Sequence, residues 1–334
     1  MHRRTLLTAG LAAALAGSLA GCAGGPGTGS KRILRLALNQ TETHPSFLAL
    51  DAFSKSFEAA TDGEFLIDIF ANEVLGAQQE ILNLQRNNIV DLAIISSTQL
   101  ENINQDFRVF NVPRVFDDVD HQMRVVRDES ISGDLFRSLQ QSNNLLVIGA
   151  FTQGERNIYA KRAVTSPDDM RGLKVRVQES PVMLRMIEAM GGSPTPMAFG
   201  EVYTALQAGV LDGAENNEVS YWTQKHYEVA PVYSYTKHLV GIDYMVASAS
   251  MLDDLPAEVR PIFDAEWARC MEHFTELWGQ STQEAIDGCT AGGATFEEID
   301  TAAFDERLTP LAESLLTSDV QKSIYERTRE VSTS

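Results

Sequence analysis

Two arginines carry the chemistry most open to interpretation in this sequence. In Lys174-Val175-Arg176-Val177-Gln178 the alternation turns Val175 and Val177 to one face and Arg176 to the other. A guanidinium late on a strand of an α/β unit sits where ligands of such sheets collect, and its fork matches a carboxylate through two parallel charge-assisted hydrogen bonds. Arg156 follows the apolar run Leu145 to Phe151 and offers the same group. From spacing alone, a solvated surface position is the commoner role for either.

Catalytic and metal constellations are missing. The six histidines are scattered, with no His-Glu-x-x-His, Cys-x-x-Cys, Gly-x-Ser-x-Gly or strand-borne Gly-x-Gly-x-x-Gly. No metal, cofactor or catalytic residue is therefore expected. The acidic pairs Asp117-Asp118, Asp168-Asp169 and Asp253-Asp254 lie beside expected helix starts, where they suit capping and the helix dipole.

The elements that must position the arginines alternate between short strands and amphipathic helices. Ile33 to Leu38, Phe65 to Phe70 and Val90 to Ile95 read as strands, with helices from His44-Pro45 to Thr61-Asp62-Gly63 and over Gln78 to Arg86. Phe47, Leu50, Phe53 (or Ser54) and Phe57 share the buried face of the first helix. This βαβαβ opening predicts a largely parallel sheet covered by helices. A second unit is expected near residue 145, where Leu145 to Phe151 is a strand. Ser166-Pro167-Asp168-Asp169 reads as a helix start, Leu173 to Val177 as a strand, and Pro181 to Met190 as a helix with a Met183, Met186, Ile187 and Met190 face that stops at Gly191-Gly192. Gly200 to Gln207 is a further helix. In the last third, Phe263, Trp267, Cys270, Phe274 and Leu277 or Trp278 mark one long buried stripe reaching about Cys289. If one helix carries Cys270 and Cys289, they stand roughly 28 Å apart, beyond disulfide reach, and both are expected as unpaired core thiols.

The 334 residues have a formal net charge of −19, from 46 acids against 27 bases. The length suits two globular units, and the acidic excess argues against wrapping nucleic acid. Met1-His2-Arg3-Arg4 followed by an uncharged Leu-, Ala- and Gly-rich run reads as an export signal over residues 1–21, too short and too weakly apolar for a spanning helix. Leu19-Ala20-Gly21-Cys22 resembles a bacterial lipobox, making Cys22 the expected lipidated first residue. Arg3-Arg4 also resembles a twin-arginine signal. Residues 22–31 read as a lipidated N-terminus and flexible linker.

Three blocks carry a resemblance to a known family: Leu173-Lys174-Val175-Arg176-Val177-Gln178, the run Gly192 to Gln207 containing Thr195-Pro196-Met197-Ala198-Phe199-Gly200-Glu201, and Leu211-Asp212-Gly213-Ala214-Glu215-Asn216. They look like the signature of the solute-binding proteins of TRAP transporters (DctP family), and the similarity is collinear from about Ile33 to the end. The resemblance implies an α/β, two-lobed periplasmic solute-binding-protein fold with a cleft, crossing hinge strands and a long spanning helix. Lobe I would comprise residues 32–153 plus 242–281, and lobe II residues 154–241 plus 282–334. It further implies no enzyme activity, a periplasmic location with membrane contact only through the lipid anchor, and two partners: a small organic acid and the TRAP membrane permease.

Site roles follow from the resemblance residue by residue. Arg176 corresponds to the arginine that clamps the ligand carboxylate, Arg156 to a second family arginine, and Asn216 to the amide that orients the carboxylate or a neighbouring hydroxyl. Phe199 matches an aromatic that packs on the ligand, while Tyr203 and Leu206 are left as packing residues. The stretches around Arg156, Arg176 and Asp212 to Asn217 look closest to members that take hexuronates such as glucuronate or galacturonate. Sialic-acid members share Asn39 but carry acidic residues where this chain has Gln78 and Ser96. Asn39, His44, Ser96, Glu179 and Asp243 are the candidates for sugar hydroxyls. The alternatives are a C4-dicarboxylate or aromatic acid in the same role, or an exported carbohydrate-acting enzyme using Glu179 and Glu215 for acid–base work.

Overall fold

The computed structural model describes residues 31–331. The export signal, Cys22 and most of the linker lie outside the described residues.

Among the described residues nine strands form one mixed sheet: β1 (Arg32–Ala37), β2 (Phe65–Phe70), β3 (Leu92–Ser96), β4 (Leu145–Ala160), β5 (Lys174–Val177), β6 (Ser193–Pro196), β7 (Gly213–Asn216), β8 (Val232–Ser248) and β9 (Thr295–Glu297). Their order is β2-β1-β3-β8-β4-β7-β5-β6, with β9 on β8. The sequence predicts a largely parallel sheet. The two ends are indeed parallel, β1 against β2 and β3, and β5 against β6 and β7. The centre is antiparallel, because β8 and β4 run against each other and against β3 and β7.

The two central strands are much longer than the sequence suggests. β4 does not stop at Phe151 but continues through Arg156 to Ala160, 16 residues in all, and β8 has 17. Gly149 and Gly154 both sit at irregularities within this one strand. The register shifts between Val147 and Gly149, between Thr152 and Glu155, and again between Arg156 and Ile158. Gly154, at φ +64, supplies a left-handed step that a side chain would disfavour, so the strand kinks and resumes. Residue 145 therefore opens no separate sheet.

Among the described residues thirteen α-helices cover the sheet: α1 (Pro45–Ala60), α2 (Gln78–Arg86), α3 (Ser97–Leu100), α4 (Val119–Arg127), α5 (Glu129–Arg137), α6 (Gln140–Asn143), α7 (Pro181–Met190), α8 (Val202–Gln207), α9 (Glu218–Thr223), α10 (Ala249–Asp253), α11 (Arg260–Ala291), α12 (Ala302–Leu315) and α13 (Asp319–Glu330). α1, α2 and α7 fall where the periodicity predicts. In α7 the four expected apolar residues are fully buried, and Gly191 ends the helix at φ +102. Ser166-Pro167-Asp168-Asp169 forms only a turn. Asp169 bends back so that its carboxylate accepts from the Thr165 and Ser166 amides at 3.0 and 2.9 Å, and Gly172, at φ +76, closes the turn before a helix can propagate. Asp118 caps α4 as expected, but Asp253 and Asp254 end α10 rather than start a helix.

α11 has 32 residues and is about 48 Å long. Its first half packs Phe263, Trp267 and Phe274 against Phe53, Phe57 and Phe151, the last pair stacked with centroids 4.0 Å apart. Its second half reaches Trp222 of α9 at Gly288, and Cys289 joins a separate cluster with Tyr159, Tyr221 and Tyr233. Cys270 and Cys289 are buried free thiols, as the helix spacing requires. Among the described residues no helix is long and apolar enough to cross a membrane.

Candidate functional site

β5 carries Arg176 between β6 and β7, with Val175 and Val177 sealed on the opposite face. The guanidinium is itself buried, so the solvated-surface alternative falls away. Nε and Nη2 both donate to the Met197 carbonyl at 3.0 and 2.8 Å, and the group lies 5.4 Å from the Phe199 ring centroid. Nη1 makes no hydrogen bond among the described residues. Burial pulls the Arg176 pKa below its ordinary value, with Glu215 opposing.

Arg156 is built differently. Its Nε and Nη2 grip Glu215 at 2.6 and 2.7 Å, Nη2 also donates to the Glu215 carbonyl at 3.0 Å, and Nη1 donates to Gln153 Oε1 at 2.6 Å and Asn216 Oδ1 at 2.9 Å. Every donor of the fork is thereby used within the protein. Burial alone would raise the Glu215 carboxyl, but Arg156 and His238 outweigh it and hold the group at about 2. Glu215 is thus permanently ionised near neutral pH and unsuited to acid catalysis. Glu179, its partner in the enzymatic alternative, is an exposed side chain.

Asn216 Oδ1 also accepts from the Asn217 amide nitrogen at 3.0 Å, which fixes the side-chain amide and leaves Asn216 Nδ2 with no hydrogen bond among the described residues. Gln153 extends the network to the other end of the sheet. Its oxygen holds Arg156, while its nitrogen donates to the Asp243 carboxylate and to Ser96 Oγ, the latter at 3.3 Å. Gly241 makes room for this crossing, since a Cβ there would stand 2.6 Å from Gln153 Oε1 and 3.0 Å from Arg156 Cδ. Burial raises Asp243 to about 6 against the pull of Gln153 and Arg156. Ser96 accepts from Gln178 Nε2 at 3.0 Å, and Thr98 Oγ1 donates to Gln178 Oε1 at 3.0 Å.

Arg176, Phe199, Asn39 and Glu179 therefore share one small cavity, whose wall also includes Glu73, Gln78 and Gln178. Its volume of about 20 Å³ is room for roughly one water. Contacts from opposite ends of the sheet close it: Thr98 to Gln178, the Gly200 amide to Glu73 Oε2 at 2.8 Å, Asn102 to the Glu179 carbonyl at 2.8 Å, and Ser180 to Glu101. Asn39 turns a buried Oδ1 there with no protein partner. Arg156, Asn216 and Asp243 do not line it and are linked to its Gln178 through Gln153 and Ser96. His44 lies apart: its Nδ1 accepts from the Ser46 amide at 3.1 Å as the cap of α1, its ring is 6.1 Å from Trp278, and burial lowers it to about 3, so it is neutral.

Gln153, Gln178 and Glu73 were not identifiable as site residues from sequence, although Gln178 directly follows the Arg176 strand. A larger cavity of about 540 Å³ lies elsewhere, between α5, β4 and α11, and contains none of the expected residues. The polar cavity is the better candidate because it brings a buried cation with an uncommitted donor to a set of polar side chains. Among the described residues no cluster of His, Cys, Asp or Glu could hold a metal.

A sheet whose ends meet over a buried arginine with one donor uncommitted, walled by amide side chains, is the arrangement of a protein that binds an anionic solute. Residues 36–319 match the model of bacterial extracellular solute-binding protein, family 7, and the chain belongs to that family. It is similar in structure to a TRAP periplasmic solute-binding protein from Anaerococcus prevotii with bound α/β-D-glucuronate, at a TM-score of 0.87 and 33% identity over 90% of this chain and 98% of the other. A TRAP periplasmic solute-binding protein from Xanthobacter autotrophicus with bound β-D-galacturonate gives a TM-score of 0.85 and 27% identity over 90% of this chain and all (100%) of the other. In sequence, a solute-binding protein from Chromohalobacter salexigens is 32% identical over 80% of each chain.

Proposed function

We propose that this chain captures a hexuronate such as glucuronate or galacturonate outside the cytoplasmic membrane and delivers it to the membrane permease of a TRAP transporter, tethered through a lipid on Cys22. Support comes from the uronates bound in structures of relatives and, in this chain, from the one observation that carries the reading: Arg176 is buried beside Phe199 with Nη1 uncommitted. Arg176 receives the carboxylate, and Asn216 Nδ2 orients it. Asn39, Ser96, Glu179 and Asp243 serve the hydroxyls directly or through Gln153 and Gln178. Arg156 holds Asn216 and Gln153 in place, and would reach the ligand only by releasing one of them.

The division into lobe I (32–153 plus 242–281) and lobe II (154–241 plus 282–334) is part of this proposal. β4 and β8 are then the crossing strands, and the contacts of Glu73, Thr98, Glu101 and Asn102 with the opposite side are closing contacts that part to admit the solute. The acidic chain repels an anion at long range, but salt screens this beyond roughly 10 Å, so affinity resides in the buried local cation.

Isothermal calorimetry with D-glucuronate and D-galacturonate tests the reading. Saturable one-to-one heat without turnover of the sugar is expected. Heat with a C4-dicarboxylate or an aromatic acid and none with either uronate would overturn the hexuronate assignment.

A further inference from the structure

We infer that Glu73 makes this site selective for acids of single charge, an inference that rests on Arg176 being the partner of the solute carboxylate. Glu73 comes from the end of the sheet opposite to Arg176, yet both side chains line the same cavity. Its backbone is held in a demanding shape. Asn72 and Glu73 are consecutive left-handed residues, at φ 57 and 55, a conformation uncommon for glutamate. The Glu73 amide donates to the Leu38 carbonyl at 3.2 Å, and its own carbonyl accepts from Gly76 at 2.9 Å, so the loop aims the side chain at one place. There Oε2 accepts from the Gly200 amide at 2.8 Å, one residue after the Phe199 that Arg176 faces.

The charge balance follows. Among the described residues Arg176 is the only cation lining the cavity, and Arg156, which does not line it, is neutralised by Glu215. Glu73 forms no ion pair among the described residues. One incoming carboxylate satisfies Arg176. A second would share the small space with the Glu73 carboxylate and find no cation, so like charges meet at close range in a poorly hydrated cleft. Sugar hydroxyls, by contrast, donate to Glu73 in charge-assisted hydrogen bonds. A uronate with one carboxylate and several hydroxyls fits this balance, and the corresponding dicarboxylate does not.

The test is calorimetry of the full chain and its Glu73 variants with D-glucuronate and D-glucarate, which adds a second carboxylate to the same six-carbon skeleton. Wild type is expected to prefer glucuronate at least about a hundredfold. Glu73→Gln, isosteric and able to keep the Gly200 hydrogen bond, should narrow that ratio at least about tenfold by binding glucarate better. Glu73→Asp, which keeps the charge, should retain the preference even where affinity falls. A wild type that binds glucuronate and glucarate alike, or an unchanged ratio in a folded Glu73→Gln chain that still binds glucuronate, overturns the inference and leaves the assignment of Arg176 standing. No binding of glucuronate to wild type overturns the reading of the site itself, and this inference with it.

Discussion

Arg156 and Glu215 face each other as a two-pronged ion pair, with Nε–Oε2 at 2.6 Å and Nη2–Oε1 at 2.7 Å, and both side chains sealed from solvent. Such a pair is costly to break from one side, because the survivor is left as a buried charge without a partner. Glu215→Ala should therefore lower stability by about 3–5 kcal/mol, read from urea unfolding. Arg156→Ala should do the same. A loss of under 1 kcal/mol in both variants would mean that the pair is not the anchor its geometry suggests.

Arg176→Ala is expected to separate binding from folding. Its guanidinium donates only to the Met197 carbonyl and has no ion pair to lose among the described residues. Uronate affinity should fall about a hundredfold or more, the equivalent of roughly 3–5 kcal/mol, while the unfolding midpoint changes little. Near wild-type affinity in this variant would reject Arg176 as the carboxylate partner.

Glu215 and Asp243 should give stability opposite slopes with pH. The Glu215 pKa is depressed to about 2, so its contribution is present above the ordinary carboxyl value near 4.5 and is lost as pH falls toward 2. The Asp243 pKa is raised to about 6, so the protein is favoured below the ordinary aspartate value of 3.8 and loses that contribution as pH rises through 6. Asp243→Asn should thus stabilise the chain relative to wild type more at pH 8 than at pH 4, by on the order of 2–3 kcal/mol, measured by urea melts at both pH values. Equal differences at the two pH values would contradict the burial of an ionisable group at this position.

The thiols of Cys270 and Cys289 should resist reagents until the fold opens. Burial pushes the Cys289 thiol up to about 12 and Cys270 higher still. In a Cys22→Ser chain, a thiol-reactive dye at pH 8 should label neither cysteine in buffer and both in denaturant. Fast labelling of the native protein would place one of them at the surface.

The locally periodic parts of the fold were legible in the sequence. α2 and α7 coincide with their apolar spacing, and α11 covers the whole stripe from Phe263 to Cys289. The long central strands were not: the apolar run that marks β4 ends at Phe151, and the polar stretch Thr152 to Arg156, which carries the strand on through its register shifts, has no strand pattern of its own. At Ser166 the capping contacts of a helix start are present, Asp169 returning its carboxylate to the Ser166 amide, but Gly172 at φ +76 ends the segment within one turn. At the site, Arg176 and Phe199 were identifiable by their motif, but Gln153, Gln178 and Glu73 were not. A glutamine that joins two strands or a glutamate aimed by a left-handed loop has no periodicity or composition of its own; only the packing of distant segments gives it a role.

Gly288 gives the long helix a mechanical meaning. Any side chain at that position would press into the Trp222 indole, whose atoms stand 2.6 Å from where a Cβ would be. Trp222 belongs to α9, whose cap is Asn217, the immediate neighbour of the Asn216 amide. A bulky substitution on the back of α11 would be transmitted along that short path as displacement, making position 288 a remote adjustment screw for the Asn216 amide.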